Sequence, residues 1–191
     1  MGASPPAVMT DWLVRRATAA DAAEMARVHT EGWRAAYRGL LPERHLHGLR
    51  AVDRVESMAD RASRPDPEAV FVAVRPDGGT GLGAVAVVLP VRSAGDRHPV
   101  LPTGELASLY ADPAALGTGA GFAVHRAGLD HLSRCGFRYA VLWVLRGNAR
   151  ARTFYEARGW RPDGAGRQDM IGGFAAEEIR YAIALSPAAG S

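Results

Sequence analysis

The chain has no lysine: all 23 of its basic residues are arginine. A nucleoside-triphosphate loop needs a Lys-Ser/Thr pair after its last glycine, so that class of phosphate site is excluded. There is one cysteine, Cys135, which excludes an intramolecular disulfide. It sits just before Gly136, at the end of a helical run, and reads as a packing residue. A catalytic thiol would need a base beside it. Long apolar runs are also missing. Ala84–Leu89, like the other apolar runs, is far too short to cross a bilayer. Met1–Met9 has no basic start followed by an apolar core, so no signal peptide is read. Pro6 occupies the position where a myristoylation pattern requires Ser or Thr. These absences together predict a soluble, cytoplasmic protein with no membrane partner.

The 191 residues, 48% hydrophobic and 23% charged, have the ordinary make-up of a globular chain and suffice for one domain. That domain is expected over residues 11–185, with flexible tails at 1–10 and 186–191. Net charge is +3, but the arginines are spread along the chain and mostly neighbour acids. No nucleic-acid partner is expected, and a small polyanion accounts for local basic clusters. The six histidines form no ligand pattern. His45-x-His47 would point to different faces of a helix, so no metal is predicted.

Periodicity then divides the chain. Trp12–Arg16 reads as a short strand. Thr18-Ala19-Ala20-Asp21 resembles a capping box with Asp in place of Glu, and opens a helix with Ala22, Met25, Val28 and His29 on one face. Trp33 and Tyr37 continue that stripe. Gly39 breaks the helix, and a second is expected from about Pro42 towards Ala62. Ala69–Arg75 and Gly83–Leu89 read as strands joined by a Pro76-Asp77-Gly78-Gly79 turn. Pro90 to Thr103 is a long loop, expected to border a functional cleft. Arg138–Leu145 is nearly unbroken apolar sequence, a strand buried on both faces. Asn148 to Arg158 reads as a short helix stopped by Gly159. Trp160–Arg161, Gln168–Ile171 and Glu177–Leu185 read as closing strands.

The stretch Glu105–Gly121 organises the rest. Its first half alternates like a strand, which Asp112-Pro113 ends. Gly117-Thr118-Gly119-Ala120-Gly121 follows, and then helical spacing from Phe122 to Arg134. Strand, glycine loop and helix N-terminus together make a cradle for phosphate: glycines admit the anion, free amides point at it, and the helix dipole favours it. A dinucleotide fingerprint fails, because Phe122 stands where its third glycine belongs and no acidic residue follows at the ribose position.

These residues resemble the GNAT superfamily of N-acetyltransferases. Leu109-Tyr110-Ala111-Asp112-Pro113, followed by Leu116 to Gly121, is similar to that family's acetyl-CoA-binding core, Gln/Arg-x-x-Gly-x-Gly/Ala. Gly119 and Gly121 fit the pattern, whereas Leu116 stands where Gln or Arg is commonest. The second match is stronger: Asn148, Ala151, Tyr155, Gly159 and Trp160 are in register with Asn-x-x-Ala-x-x-x-Tyr-x-x-x-Gly-Phe/Trp.

The resemblance, from roughly Val14 to Leu185, implies an α/β fold with a mixed, mostly antiparallel sheet of six or seven strands. That sheet would be splayed at its central strands, with helices on both faces. It implies acetyl-CoA as co-substrate and direct transfer of acetyl to a primary amine. Such a transfer must stabilise an oxyanion, deprotonate the amine and protonate the leaving thiolate. By resemblance, Leu109, Tyr110 and Ala111 lie beside the thioester, while the Gly117, Thr118, Gly119, Ala120, Gly121 and Phe122 amides hold the pyrophosphate. Asn148 contacts the cofactor, and Tyr155 is the general acid. Glu105 matches the glutamate used as base, often through water, in some members; its competing role is to orient substrate or water. Other members place the base on the following strand, where this chain has Trp143. Trp33 and Tyr37 fall where the acceptor cleft is lined, and Arg150 and Arg152 within reach of cofactor phosphates. A homodimer is a family expectation. A non-catalytic acyl-CoA sensor of the same fold, and transfer to a hydroxyl or of a longer acyl chain, are the open alternatives.

Overall fold

In a computed structural model the described residues are 12–75 and 81–187. The expected tail up to Thr10, the final residues 188–191 and the Pro76–Gly79 turn lie outside them. Seven strands form one sheet: β1 (Leu13–Arg16), β2 (Ala69–Val74), β3 (Leu82–Pro90), β4 (Thr103–Ala111), β5 (Tyr139–Leu145), β6 (Arg161–Ile171) and β7 (Phe174–Ala184). Their order is β1-β2-β3-β4-β5-β7-β6. Only β4 and β5 run parallel, and every other neighbour is antiparallel. The helices are α1 (Ala22–Ala36), α2 (Glu43–Gly48), α3 (Val55–Ala62), α4 (Ala120–Arg134) and α5 (Ala149–Glu156).

Alternation along the central strands sends side chains to two cores. On one face Ala84, Ala86, Val88, Leu106, Leu142 and Val144 pack against Val124 and Leu132 of α4 and Tyr155 of α5. On the other, Val85, Val87 and Leu89 pack against Met25 and Val28 of α1 and Met58 of α3. β3 is buried on both sides, as expected of a central strand without polar alternation. Each such valine contributes on the order of 1.5–3 kcal/mol by leaving water.

Two expectations are corrected. The helix expected from Pro42 towards Ala62 is two helices. Leu49 and Arg50 are extended, and Arg34 of α1 donates to the Leu46 and Leu49 carbonyls at 3.1 and 2.5 Å. The freed carbonyls at the break are satisfied by a side chain from another helix, a solution no local window reveals. Trp160–Arg161 and Gln168–Ile171 belong to one element, β6 beginning at Arg161. The ladder with β7 absorbs the intervening glycines in an irregularity between Pro162 and Gly166, which an edge strand tolerates. Among the described residues, no helix is long and apolar enough to cross a membrane.

Candidate active site

The parallel ladder between β4 and β5 is short. Thr103, Gly104 and Glu105 pair with Tyr139, Ala140 and Val141, and the register ends there. β5 stays paired with β7 along its whole length, so β4 is the strand that turns away. The ladder with β3 shows why. Val88 faces Leu106 and Val87 faces Ser108, which leaves Ala107 as an extra residue. Such a bulge bends the strand and increases its twist. Beyond it β4 and β5 diverge around a cleft of about 440 Å³ lined by Leu106–Ala111 on one side and Trp143 and Val144 on the other. Among the described residues no strand pairs with the β4 edge facing the gap, and such an edge can pair with an extended ligand.

One end of the cleft is formed by the glycine loop ahead of α4. Asp112 ends β4 and accepts the Ala114 N–H at 2.8 Å, starting the turn into the glycine loop. Gly117 and Gly119 have φ of +81° and +96°, values that a side chain would strain. The first bond of α4 runs from the Ala123 N–H to the Gly119 carbonyl at 2.9 Å. Amides ahead of it have no partner within the helix and lie at its positive end. Thr118 braces the loop from behind, accepting from the Trp12 indole at 2.9 Å and donating to the Ala115 carbonyl at 2.7 Å.

α5 supplies the adjoining wall. Asn148 caps it, its Oδ1 accepting the Ala151 N–H at 3.1 Å. Arg150, Ala151, Phe154, Tyr155 and Arg158 then line the cleft at helical spacing. Burial, and next the nearby Tyr37, push the Tyr155 hydroxyl above its ordinary pKa, so it keeps its proton near neutrality. That hydroxyl has no hydrogen-bond partner among the described residues. The Arg158 guanidinium lies over the Phe154 ring at 3.7 Å and the Phe122 ring at 5.1 Å. Burial pulls its pKa down. Among the described residues neither Arg150 nor Arg158 has a carboxylate partner. Behind this wall Trp160 donates to His125 Nε2 at 2.8 Å, which puts the His125 proton on Nδ1. Burial first, then the Arg158 charge, lowers the His125 pKa to about 4.

The opposite side is aromatic and then ionic. Tyr37, at the C-terminal cap of α1, lines the cleft, its hydroxyl 3.1 Å from that of Tyr110. Burial, followed by Tyr37, raises the Tyr110 pKa strongly. The close approach depends on Gly32, where an added Cβ would lie 2.9 Å from the Tyr110 Cβ. Leu106 packs on the Tyr155 face, so Glu105, one residue earlier, belongs to the other. Its side chain is 5% exposed and accepts two bonds from Arg92, at 2.6 and 3.2 Å. Trp143 is held by its indole donating to Asp96 at 3.3 Å and by Arg167 and Arg180, 4.2 and 5.7 Å from the ring. Arg180 in turn pairs with Asp96 and Asp163, both at 2.8 Å.

Of the residues singled out by sequence, Leu109, Tyr110, Ala111, Gly117, Gly119, Gly121, Phe122, Asn148, Tyr155 and Tyr37 line the cleft together. Glu105, Trp33, Thr118 and Ala120 do not line it. Trp33 packs behind Tyr37, with ring centroids 4.9 Å apart, and Ala120 is fully buried. Arg150 lines the cleft, whereas Arg152 turns away to the Tyr181 hydroxyl at 3.2 Å. The Pro90–Thr103 loop reaches the cleft only through Asp96 and its bond to Trp143. Arg158 is the residue that sequence reading passed over. Its signal was present: Asn148, Ala151, Tyr155 and Arg158 repeat at helical spacing.

Comparison with known proteins shows the family and the fold. Residues 30–160 match the family described as Acetyltransferase (GNAT) family. The chain is 29% identical over 144 residues to an uncharacterized N-acetyltransferase, YuaI, of Bacillus subtilis, covering 75% of this chain and 77% of that one. It is 37% identical over 107 residues to a mycothiol acetyltransferase of Geodermatophilus obscurus, covering 55% of this chain but 33% of that longer protein. The fold is similar to the PaiA N-acetyltransferase of Thermoplasma acidophilum solved with coenzyme A (TM-score 0.70, 16% identity, 90% of this chain and 98% of that one). It is also similar to YncA, a putative acetyltransferase of Salmonella typhimurium solved with acetyl-CoA (TM-score 0.66, 20% identity, 92% and 94%).

Proposed function

This chain belongs to the GNAT family of N-acetyltransferases, and we propose that residues 11–185 transfer acetyl from acetyl-CoA directly to a primary amine. The observation that carries this reading is the divergence of β4 from β5, with a glycine loop at one end of the gap and the Tyr155 hydroxyl in its wall. Acetyl-CoA supplies the activated acyl group. In this reading the Gly117–Phe122 amides receive its pyrophosphate, and Arg150 and Arg158 give the remaining phosphate charge a partner. The open β4 edge at Leu109–Ala111 pairs with the pantetheine arm, and one of its amides polarises the thioester carbonyl. Asn148 holds the start of α5 against the cofactor.

Tyr155 is assigned as general acid. The Tyr155 phenol stays protonated near neutrality and can donate as the carbon–sulfur bond breaks. Ordinary values of about 10 for Tyr and 8.5 for Cys make the transfer mildly uphill, so it is coupled to departure of the thiolate. Glu105 is assigned the amine proton, received through water from the face opposite Tyr155, with Arg92 fixing the carboxylate. The acceptor enters past Tyr37, which Trp33 backs. Cys135 lies at the far end of α4 and has no part in this chemistry. Cys135→Ser should therefore retain turnover.

The experiment is CoA release from acetyl-CoA across a panel of small amines and peptides, comparing wild type with Tyr155→Phe. Turnover with one amine class should fall roughly 100-fold in kcat in the variant at unchanged acetyl-CoA affinity, the scale of a lost general acid. Equal turnover in the two proteins would remove Tyr155 from the role.

A further inference from the structure

At the end of α4 remote from the cleft, three metal-ligating side chains that the transfer reaction does not use come together. His131 and Cys135 are one helical turn apart, and Asp66 lies on the loop before β2. Their ligand atoms all fall within 4.8 Å of one another. His131 Nε2 is 3.5 Å from Cys135 Sγ and 3.8 Å from Asp66 Oδ1. In a tetrahedral zinc site, bonds of about 2.0–2.3 Å separate neighbouring ligand atoms by about 3.3–3.6 Å. The nitrogen–sulfur edge already has that length. On its edge with the imidazole the carboxylate must close by roughly half an ångström on the same scale. Its edge with the thiol lies within 4.8 Å, and its side chain is 61% exposed on a loop. We infer that this cluster is a zinc-class divalent metal site, with Cys135 thiolate, His131 Nε2 and the Asp66 carboxylate as ligands and water in the fourth position.

The surroundings fit a metal better than the alternatives. Asp66 approaches the same ring nitrogen as the thiol, so it cannot orient the imidazole from its other nitrogen as a nucleophilic triad requires. Two anionic ligands neutralise a dication, and a thiolate with an imidazole selects zinc over magnesium or calcium. The shell around the ligands is in place as well. Arg16 donates to the Asp66 carboxylate and to the Arg64 and Glu68 carbonyls at 2.8 and 2.7 Å, holding the loop that carries the ligand. The Phe71 ring lies edge-on to His131 at 5.5 Å. On binding, the Cys135 thiol loses its proton to solvent. His131 takes the Nδ1–H tautomer and gives up its contact with the Pro67 carbonyl at 3.2 Å. α4 has 15 residues and is about 22 Å long, so the metal is far from the glycine loop. Its effect is to pin the end of α4 to the loop entering β2.

Chelator-treated full-length protein titrated with Co²⁺ tests the assignment. Saturation at one equivalent is expected, with a thiolate-to-cobalt charge-transfer band that Zn²⁺ then abolishes by displacement. Zn²⁺ should raise the melting temperature of the wild type. Cys135→Ser should lose the band and bind at least 100-fold more weakly, and Asp66→Asn, whose amide oxygen can still accept from Arg16, should bind about tenfold more weakly. Circular dichroism of the metal-free variants verifies that they are folded. Absence of saturable micromolar binding, or binding unchanged in folded Cys135→Ser, would overturn the site.

Discussion

The two sides of the splayed sheet use the same cation in opposite ways. On the side of Glu105 and Trp143, Arg92 is matched to Glu105, Arg180 to Asp96 and Asp163, and Arg167 to Glu178. On the α5 side Arg150 and Arg158 line the cleft with no carboxylate partner among the described residues. Because the chain has no lysine, residue type cannot explain the contrast. A paired guanidinium fixes structure. The Arg158 guanidinium lies over aromatic rings and donates to the Phe154 carbonyl at 2.7 Å, burial lowers its pKa, and among the described residues it has no carboxylate partner. The proposed function assigns the unpaired charge to the ligand and the paired charge to architecture.

Arg180→Ala tests the architectural half and should have the largest effect. It leaves the Asp96 and Asp163 carboxylates, 12% and 20% exposed, without their cation and frees one side of Trp143. A loss of about 3 kcal/mol is expected in urea unfolding, with acetyl-CoA affinity by calorimetry unchanged. A weakened affinity would break the division between the faces.

His125 reports on the other half. Its folded pKa is about 4 against roughly 6.5 unfolded, so the unfolded chain binds more protons between those values. Stability is therefore full above about pH 6.5 and declines as pH falls towards 4, by about 2 kcal/mol between pH 7 and 5. His125→Gln, whose amide oxygen can still accept from Trp160, should flatten melting temperature over that window. Asp21, held at about 2 chiefly by its bond to Arg15, loses its contribution only at lower pH, so the two effects separate.

Arg158→Ala should raise the KM for acetyl-CoA about tenfold, the scale of one charge-assisted bond to phosphate, with kcat unchanged and a smaller dependence on salt. It should also lift the His125 pKa, since Arg158 is the charge that adds to burial there; titration of the His125 ring by NMR reads that shift. Arg146→Ala removes an ion pair with Glu177 in which both side chains are more than half exposed. It should leave unfolding within about 0.5 kcal/mol of wild type and the kinetics unaltered.

Features set by near neighbours could be read directly from the chain. The glycine loop, the Asn148 cap and the α5 stripe all depend on residues within about one helical turn, and a local window contains everything needed to place them. The β6 strand and the break after α2 were misread because their deciding partners are distant. β7 supplies the ladder that carries β6 through its glycines, and Arg34 caps the break from another helix. The same distance hid the state of Glu105. Its position on β4 was visible, but its pairing with Arg92 comes from the loop after β3. Cys135 read as a packing residue because His131 alone shares its helix, while Asp66 arrives from the loop before β2.

By itself, then, the sequence determined the family motifs, the backbone that can turn at Gly117 and Gly119, and the order of the elements. These follow from backbone stereochemistry and side-chain periodicity, which act over a few residues. Only the tertiary structure decided where β4 leaves β5, which arginines are paired, and which faces Glu105 and Tyr155 take. Those outcomes depend on a bulge at Ala107 and on contacts between segments far apart in the chain, where packing and charge pairing select one arrangement among many that local preference allows.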